Sequence, residues 1–173
     1  MALSHIPILI ARSLASQLDP ADQAHLRAAT GFVELAMPLE ADEELDRITP
    51  EKRALPAVQA VRLLVYLLSE RWESAAVLAR HFAREIEPTN AQWWISWAYA
   101  ARRAESLQAA QAILLSCEPL LHSQEPTINF NLACYAAQLG ELKEAKAWLR
   151  KAIGLDARMK LRALEEPDLA PIW

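Results

Sequence analysis

The sequence predicts an all-α protein made of helix pairs that recur along the chain. Of the 173 residues, 33 are Ala and 27 are Leu, against 19 Val, Ile and Thr together, so strong helix formers outweigh strand formers. Three glycines leave almost nothing for hairpin turns or phosphate-cradling loops. Polar turns leading into an alanine also recur: Ala41, Ala75, Ala110 and Ala145 are spaced by 34, 35 and 35 residues, a period typical of stacked helix pairs.

The elements follow in order from their punctuation. Asp19-Pro20 is an N-cap with proline at the first helical position and opens the first helix. Thr49-Pro50-Glu51-Lys52, Glu87-Pro88-Thr89-Asn90 and Gln124-Glu125-Pro126-Thr127 each end one helix and start another. Within each unit a turn position lies five residues before the alanine, at Ala36, Glu70, Glu105 and Gly140, and Pro38, Trp72, Leu107 or Leu142 lies three before. One turn after the alanine the same face carries Leu45, Ala79, Leu114 and Leu149, then Ile48, Phe82, Cys117 and Ala152, an apolar stripe on every second helix. An alanine at a crossing lets two helix axes approach while the larger residue one turn on fills the adjacent gap.

The unit from Pro126 to Asp156 resembles a tetratricopeptide repeat. Leu132 and Ala133 match the Leu-Gly pair of that family's first helix, Gly140 the inter-helix turn, Ala145 the close-packing alanine, Leu149 the large residue after it and Ala152 the final small one; Ala157 stands where the closing proline is usual. The unit before it has Trp94 at the family's tryptophan position, Ala98 at the small one and Ala110 at the close contact, with Glu105 replacing the turn glycine. Trp72, Ala75 and Pro88 carry the pattern in the second unit, where Pro88 falls one place late, and Ala36, Ala41, Leu45 and Ile48 carry it in the first. The resemblance to bacterial members of the family implies a right-handed helical solenoid of about four helix pairs over residues 19–157, with units at about 22–55, 56–90, 91–125 and 126–157. Residues 158–173 are expected to form a C-terminal capping helix and tail that cover the last repeat with Leu161, Leu164, Leu169, Ile172 and Trp173, and residues 1–18 to cap the other end or to be disordered.

Chemistry is sparse. His5, His25, His81 and His122 form no HxxxH or HExxH pair, and no Walker, GxSxG or Cys/His motif occurs. Cys117 and Cys134 are not in CxxC spacing and read as small apolar packing residues in a reducing compartment. Asp42, Glu43 and Asp46 fall opposite Ala41, Leu45 and Ile48 and read as a solvated helix face. Among the tryptophans, Trp94 and Trp97 share a packing face, leaving Trp93 as the candidate for exposure. The expectation is a chain that is no enzyme and takes no cofactor or metal.

Partner classes are bounded by charge. A net charge of -4 and a pI near 5.6 give no general affinity for nucleic acid or an anionic membrane. The segment Met1 to Leu18 lacks a signal peptide's basic start, and later apolar stretches are broken by charge, so a cytoplasmic location is expected. Residues 1–50 hold eight acidic and three basic residues, and 143–162 two acidic and seven basic, an asymmetry that leaves self-association open.

In the family it resembles, first helices line a concave groove. That register implies Arg27 from the first unit, Leu64 and Leu68 from the second, Gln92, Ile95, Tyr99, Arg102 and Arg103 from the third, and Phe130 and Asn131 from the fourth as partner-contacting residues. Guanidinium and amide groups can hold the carboxylates and backbone of an extended peptide, and apolar side chains can receive its anchors. The basic clamp of the family's co-chaperones is absent, its slots holding Leu26, Thr30, Val61, Gln92 and Ser96. The expected function is a non-catalytic protein–protein interaction module. The alternatives are a dedicated small acidic chaperone of a secretion or assembly partner, an accessory subunit of an enzyme, and a structural oligomer.

Overall fold

A computed structural model describes residues 18–173, and they are all-α, with ten α-helices joined by short 3-10 and π-helical stretches. The expected role of the amino terminus lies outside the described residues, save for Leu18, which is buried. Two compact units divide the chain after Leu78.

In residues 18–78, α1 (Pro20–Glu34), α2 (Pro38–Arg47) and α3 (Pro56–Leu68) pack on one another, and α4 (Trp72–His81) begins in this unit. Asp19 caps α1, its carboxylate accepting from the amides of Ala21 and Asp22 at 3.0 Å each, with Pro20 behind it. Leu26 and Ala29 of α1, Ala41 and Leu45 of α2, and Val58, Val61 and Val65 of α3 form one buried cluster. Each fully buried branched side chain contributes about 1.5–3 kcal/mol. At the expected joint Thr49–Lys52 the chain forms only a 3-10 turn, Pro50–Lys52, and the next helix waits until Pro56. Of the acidic run, Glu43 and Asp46 are exposed as the sequence implies, whereas Asp42 is half-buried: Arg62 of α3 pairs with Asp42 and, at 2.7 Å, with Asp46, and Arg71 reaches Asp42 at 3.5 Å. These pairs tie α2 to α3 because one turn separates the two carboxylates.

In residues 79–173 the chain leaves α4 through a π-helical stretch, Phe82–Ile86. It then forms α5 (Ala91–Ala104), α6 (Leu107–Ser116), a single turn α7 (Glu118–Leu121), α8 (Pro126–Gln138), α9 (Leu142–Leu155) and α10 (Met159–Glu165), and ends in a 3-10 tail, Pro167–Ile172. Asn90, Ser106 and Glu125 cap α5, α6 and α8 through side-chain oxygens that accept first-turn amides at 3.0–3.1 Å. Sequential pairs pack, α5 on α6 and α8 on α9. Helix α8 lies at the centre, buried from Ile128 to Ala137, and also meets α5, α6 and the tail.

The periodic alanines hold one structural role, and three of the four periodic turn positions share another. The second helices start at Pro38, Trp72, Leu107 and Leu142, and Ala41, Ala75, Ala110 and Ala145 are all fully buried. Ala36 and Glu70 take φ 55° and Gly140 φ 80°, the left-handed conformation in which a short turn ends one helix and opens the next. Glu105 instead has φ -123°, and Ser106 supplies the following cap.

Two expectations about single side chains are overturned. Trp93 is 2% exposed; its ring stacks on Phe82 at 4.3 Å and its Nε1–H donates to Glu87 at 2.7 Å, because the π-helical stretch brings Phe82 and Glu87 onto that side of α5. In the cap, Leu169 and Ile172 are buried, whereas Leu161, Leu164 and Trp173 are 63–69% exposed. The tail turns at Pro167 and lies against α8, so the α10 leucines are left outside.

Candidate binding site

The richest polar arrangement in the second unit forms where α5, α8 and the tail meet. Helix α5 ends in two arginines, placed at its carbonyl-rich terminus as the helix dipole favours. Arg102 takes Asp168 of the tail in a fork, Nη1 to Oδ2 at 2.5 Å and Nη2 to Oδ1 at 3.2 Å. Neither side chain is enclosed, with 24% and 20% exposed. The hydrogen bond to Asp168 raises the pKa of Arg102 above its ordinary value, against the opposing effect of burial. Gln138, at the last turn of α8, donates Nε2–H to the backbone carbonyl of Asp168 at 2.9 Å. The site thus grips the same tail residue by its carboxylate and by its main chain.

Below this grip is an aromatic and amide floor. The Arg102 guanidinium lies 5.7 Å from the Tyr135 ring centroid, and that of Arg162 4.4 Å from the Phe130 ring. Asn131, Tyr135 and Gln138 form one stripe along α8, at the spacing of one helical face. Asn131 and Tyr135 are fully buried, and the Asn131 amide atoms and the Tyr135 hydroxyl have no hydrogen-bond partner among the described residues. Burial pushes the Tyr135 phenol and the Cys134 thiol well above their ordinary values, and for Cys134 the carboxylates of Glu166 and Asp168 add to the rise.

The residues expected to contact a partner divide among several environments. Arg102, Phe130 and Asn131 come together here, with Phe130 and Asn131 enclosed rather than displayed. Tyr99 and Arg103 lie on the same helix as Arg102, with the Arg103 guanidinium donating to the Tyr99 hydroxyl at 3.2 Å and lying 5.0 Å from its ring. Gln92 donates to Ser96 at 3.2 Å, and Ile95 is half-buried. Arg27, exposed on α1, and Leu64 and Leu68, half-buried on α3, belong to residues 18–78. Sequence reasoning missed Asp168 and Tyr135. The acid directly before Leu169 in a proline-flanked tail was the available signal for the first, whereas nothing local marks Tyr135 apart from its one-turn spacing from Asn131.

Among the described residues no group of three or more His, Cys, Asp or Glu side chains is placed to hold a metal ion, and no helix is long and apolar enough to cross a membrane. No protein-family model, no curated protein and no solved structure matches the chain.

Proposed function

We propose that the chain is a non-catalytic interaction module of tetratricopeptide-repeat type, a helical solenoid that holds a protein or peptide segment against its first helices. One observation carries the reading: Arg102 and Gln138 bind a carboxylate and a main-chain carbonyl of a short 3-10 segment, the tail of the chain's own fold. A surface that recognises another chain's segment needs this chemistry, since main-chain bonds supply affinity whatever the sequence and a forked guanidinium selects an acid. The buried alanines at a 34–35-residue period support the repeat assignment. Tyr99 and Ile95 extend the same helix as partner contacts, and the family resemblance assigns that role to Arg27, Leu64 and Leu68 in the other unit.

The test is site-specific photo-crosslinking in a lysate of the source cells, with the crosslinking residue at Ile95, at Tyr99, or at the exposed Lys146 of α9. The expected result is one protein captured from Ile95 and Tyr99 and not from Lys146. Equal capture from all three, or none from any, overturns the assignment.

A further inference from the structure

We propose that the tail Pro167–Ile172 is a displaceable occupant of the α5–α8 face, and that the partner segment it stands in for carries a carboxylate followed by apolar side chains one and four residues later. The inference rests on the binding-module reading and adds to it the chemistry of the ligand and an internal competitor.

Four observations converge on the tail. Its side chains already form a recognition pattern: Asp168 enters the Arg102 fork while Leu169 and Ile172 are buried, 0% and 5% exposed. Its main chain is held from outside, by Gln138 at 2.9 Å, and its first amide, that of Asp168, reaches the Glu166 carboxylate at 3.4 Å. Pro167 and Pro171 prevent it from joining α10 as one cooperative helix. A short 3-10 segment set apart from α10 in this way opens at lower cost than the longer helices beneath it.

The fourth observation points past the tail itself. Tyr135 stands next to the Arg102–Asp168 grip and Asn131 one turn further along α8, and both are buried with polar atoms that no described residue satisfies. Buried amide and hydroxyl groups normally find partners. The tail therefore fills this face without meeting all of its hydrogen-bonding capacity, and a segment that engaged Asn131 or Tyr135 as well would displace it. Because the tail is tethered, it acts as a competitor at high effective concentration, and the apparent affinity for any outside segment falls by the fraction of open molecules.

The experiment uses the full chain in three forms, wild type, Asp168→Ala and Arg102→Ala, with two readouts. Thiol labelling compares Cys134, which lies on α8 near the tail carboxylates, with Cys117, buried on α6's carboxyl-terminal side. Fluorescence anisotropy measures binding of a labelled peptide, EEPDLAPIW, and of its Asp→Ala counterpart. Loss of the fork is expected to raise Cys134 labelling about tenfold in both variants and to leave Cys117 unchanged, about 1.4 kcal/mol in the opening equilibrium. Asp168→Ala should bind the acidic peptide about tenfold more tightly than wild type does, and Arg102→Ala should not distinguish the two peptides. Cys134 that stays shielded in both variants makes the tail a fixed cap and overturns the inference, while leaving the binding-module reading to the crosslinking result. Cys134 that opens in a chain that binds neither peptide overturns the assigned ligand chemistry.

Discussion

Asp22, in the first turn of α1, accepts hydrogen bonds from both the backbone amide and the hydroxyl of Thr49, at 2.8 and 3.2 Å. Thr49 is the residue at which α2 has ended and the 3-10 turn begins, so its amide has no helical carbonyl to bind. One buried carboxylate at the start of the first helix thus fixes where the second helix stops. This is a tertiary cap, made by a residue far away in sequence rather than by the neighbouring side chain that usually serves.

The cap carries a pH signature. The amide of Thr49 holds the Asp22 carboxyl below its ordinary value of 3.8, against the opposing effect of burial. A depressed folded pKa stabilises the fold fully above the unfolded value and loses that effect as pH falls through the folded one. Asp22→Asn is therefore expected to be less stable than wild type at neutral pH, with the gap closing in strong acid. Urea midpoints at both conditions check this, and a gap that does not change with pH refutes it.

Ala145→Leu tests the helix crossing between α8 and α9. Ala145 is fully buried beside Leu149 and Ala152, so the added atoms have no free volume and force the helices apart. The expected loss is about 1–3 kcal/mol, read as a lower denaturation midpoint with retained helical circular dichroism. An unchanged midpoint would mean that the crossing lies elsewhere.

The inter-helix turns predict a pair of opposite effects. Gly140 has φ 80°, with nothing within 4 Å of the position its Cβ would take, so Gly140→Ala costs only the backbone strain, about 1 kcal/mol. Glu70 already bears that strain at φ 55°. Glu70→Gly is expected to raise stability by about 0.5 kcal/mol, the relief being partly offset by the greater freedom of the unfolded chain. Thermal or chemical denaturation showing the same sign for both would refute the turn assignment.

Arg62→Gln removes the centre of the α2–α3 ion-pair cluster. The arginine side chain is 12% exposed and Asp42 28%, so the variant leaves a partly desolvated carboxylate with only the 3.5 Å contact to Arg71. A loss of about 1–2 kcal/mol is expected. The loss should shrink at high salt to the extent that the pairs are exposed. An equal loss at all salt concentrations points to packing of the arginine stem instead.

Much of the fold was legible because it is written in local pattern. The N-cap at Asp19, the prolines at Pro38 and Pro126, and the alanine period each act within a few residues, and all of them coincide with helix starts or buried crossings. Trp93 was misread because its neighbours on α5 are tryptophans as well, and a face count along one helix says nothing of what packs from outside. Phe82 arrives from a π-helical stretch that the sequence does not announce. Leu161 and Leu164 were misread for a related reason: apolar spacing marks a helix face, but the path of the following tail decided that Leu169 and Ile172 would be buried in their place.

By itself, then, the sequence determined that the described chain is helical, where most of its helices begin, and which alanines lie at the crossings, since caps, propensity and the 3.6-residue period are short-range physics. Only the tertiary structure decided that Asp168 meets Arg102 across 66 residues, that Asp22 reaches Thr49, and that Asn131 and Tyr135 are enclosed with polar atoms unmet. Those relationships depend on where separate helices come to rest. A charge on a tail has no partner until packing brings one to it.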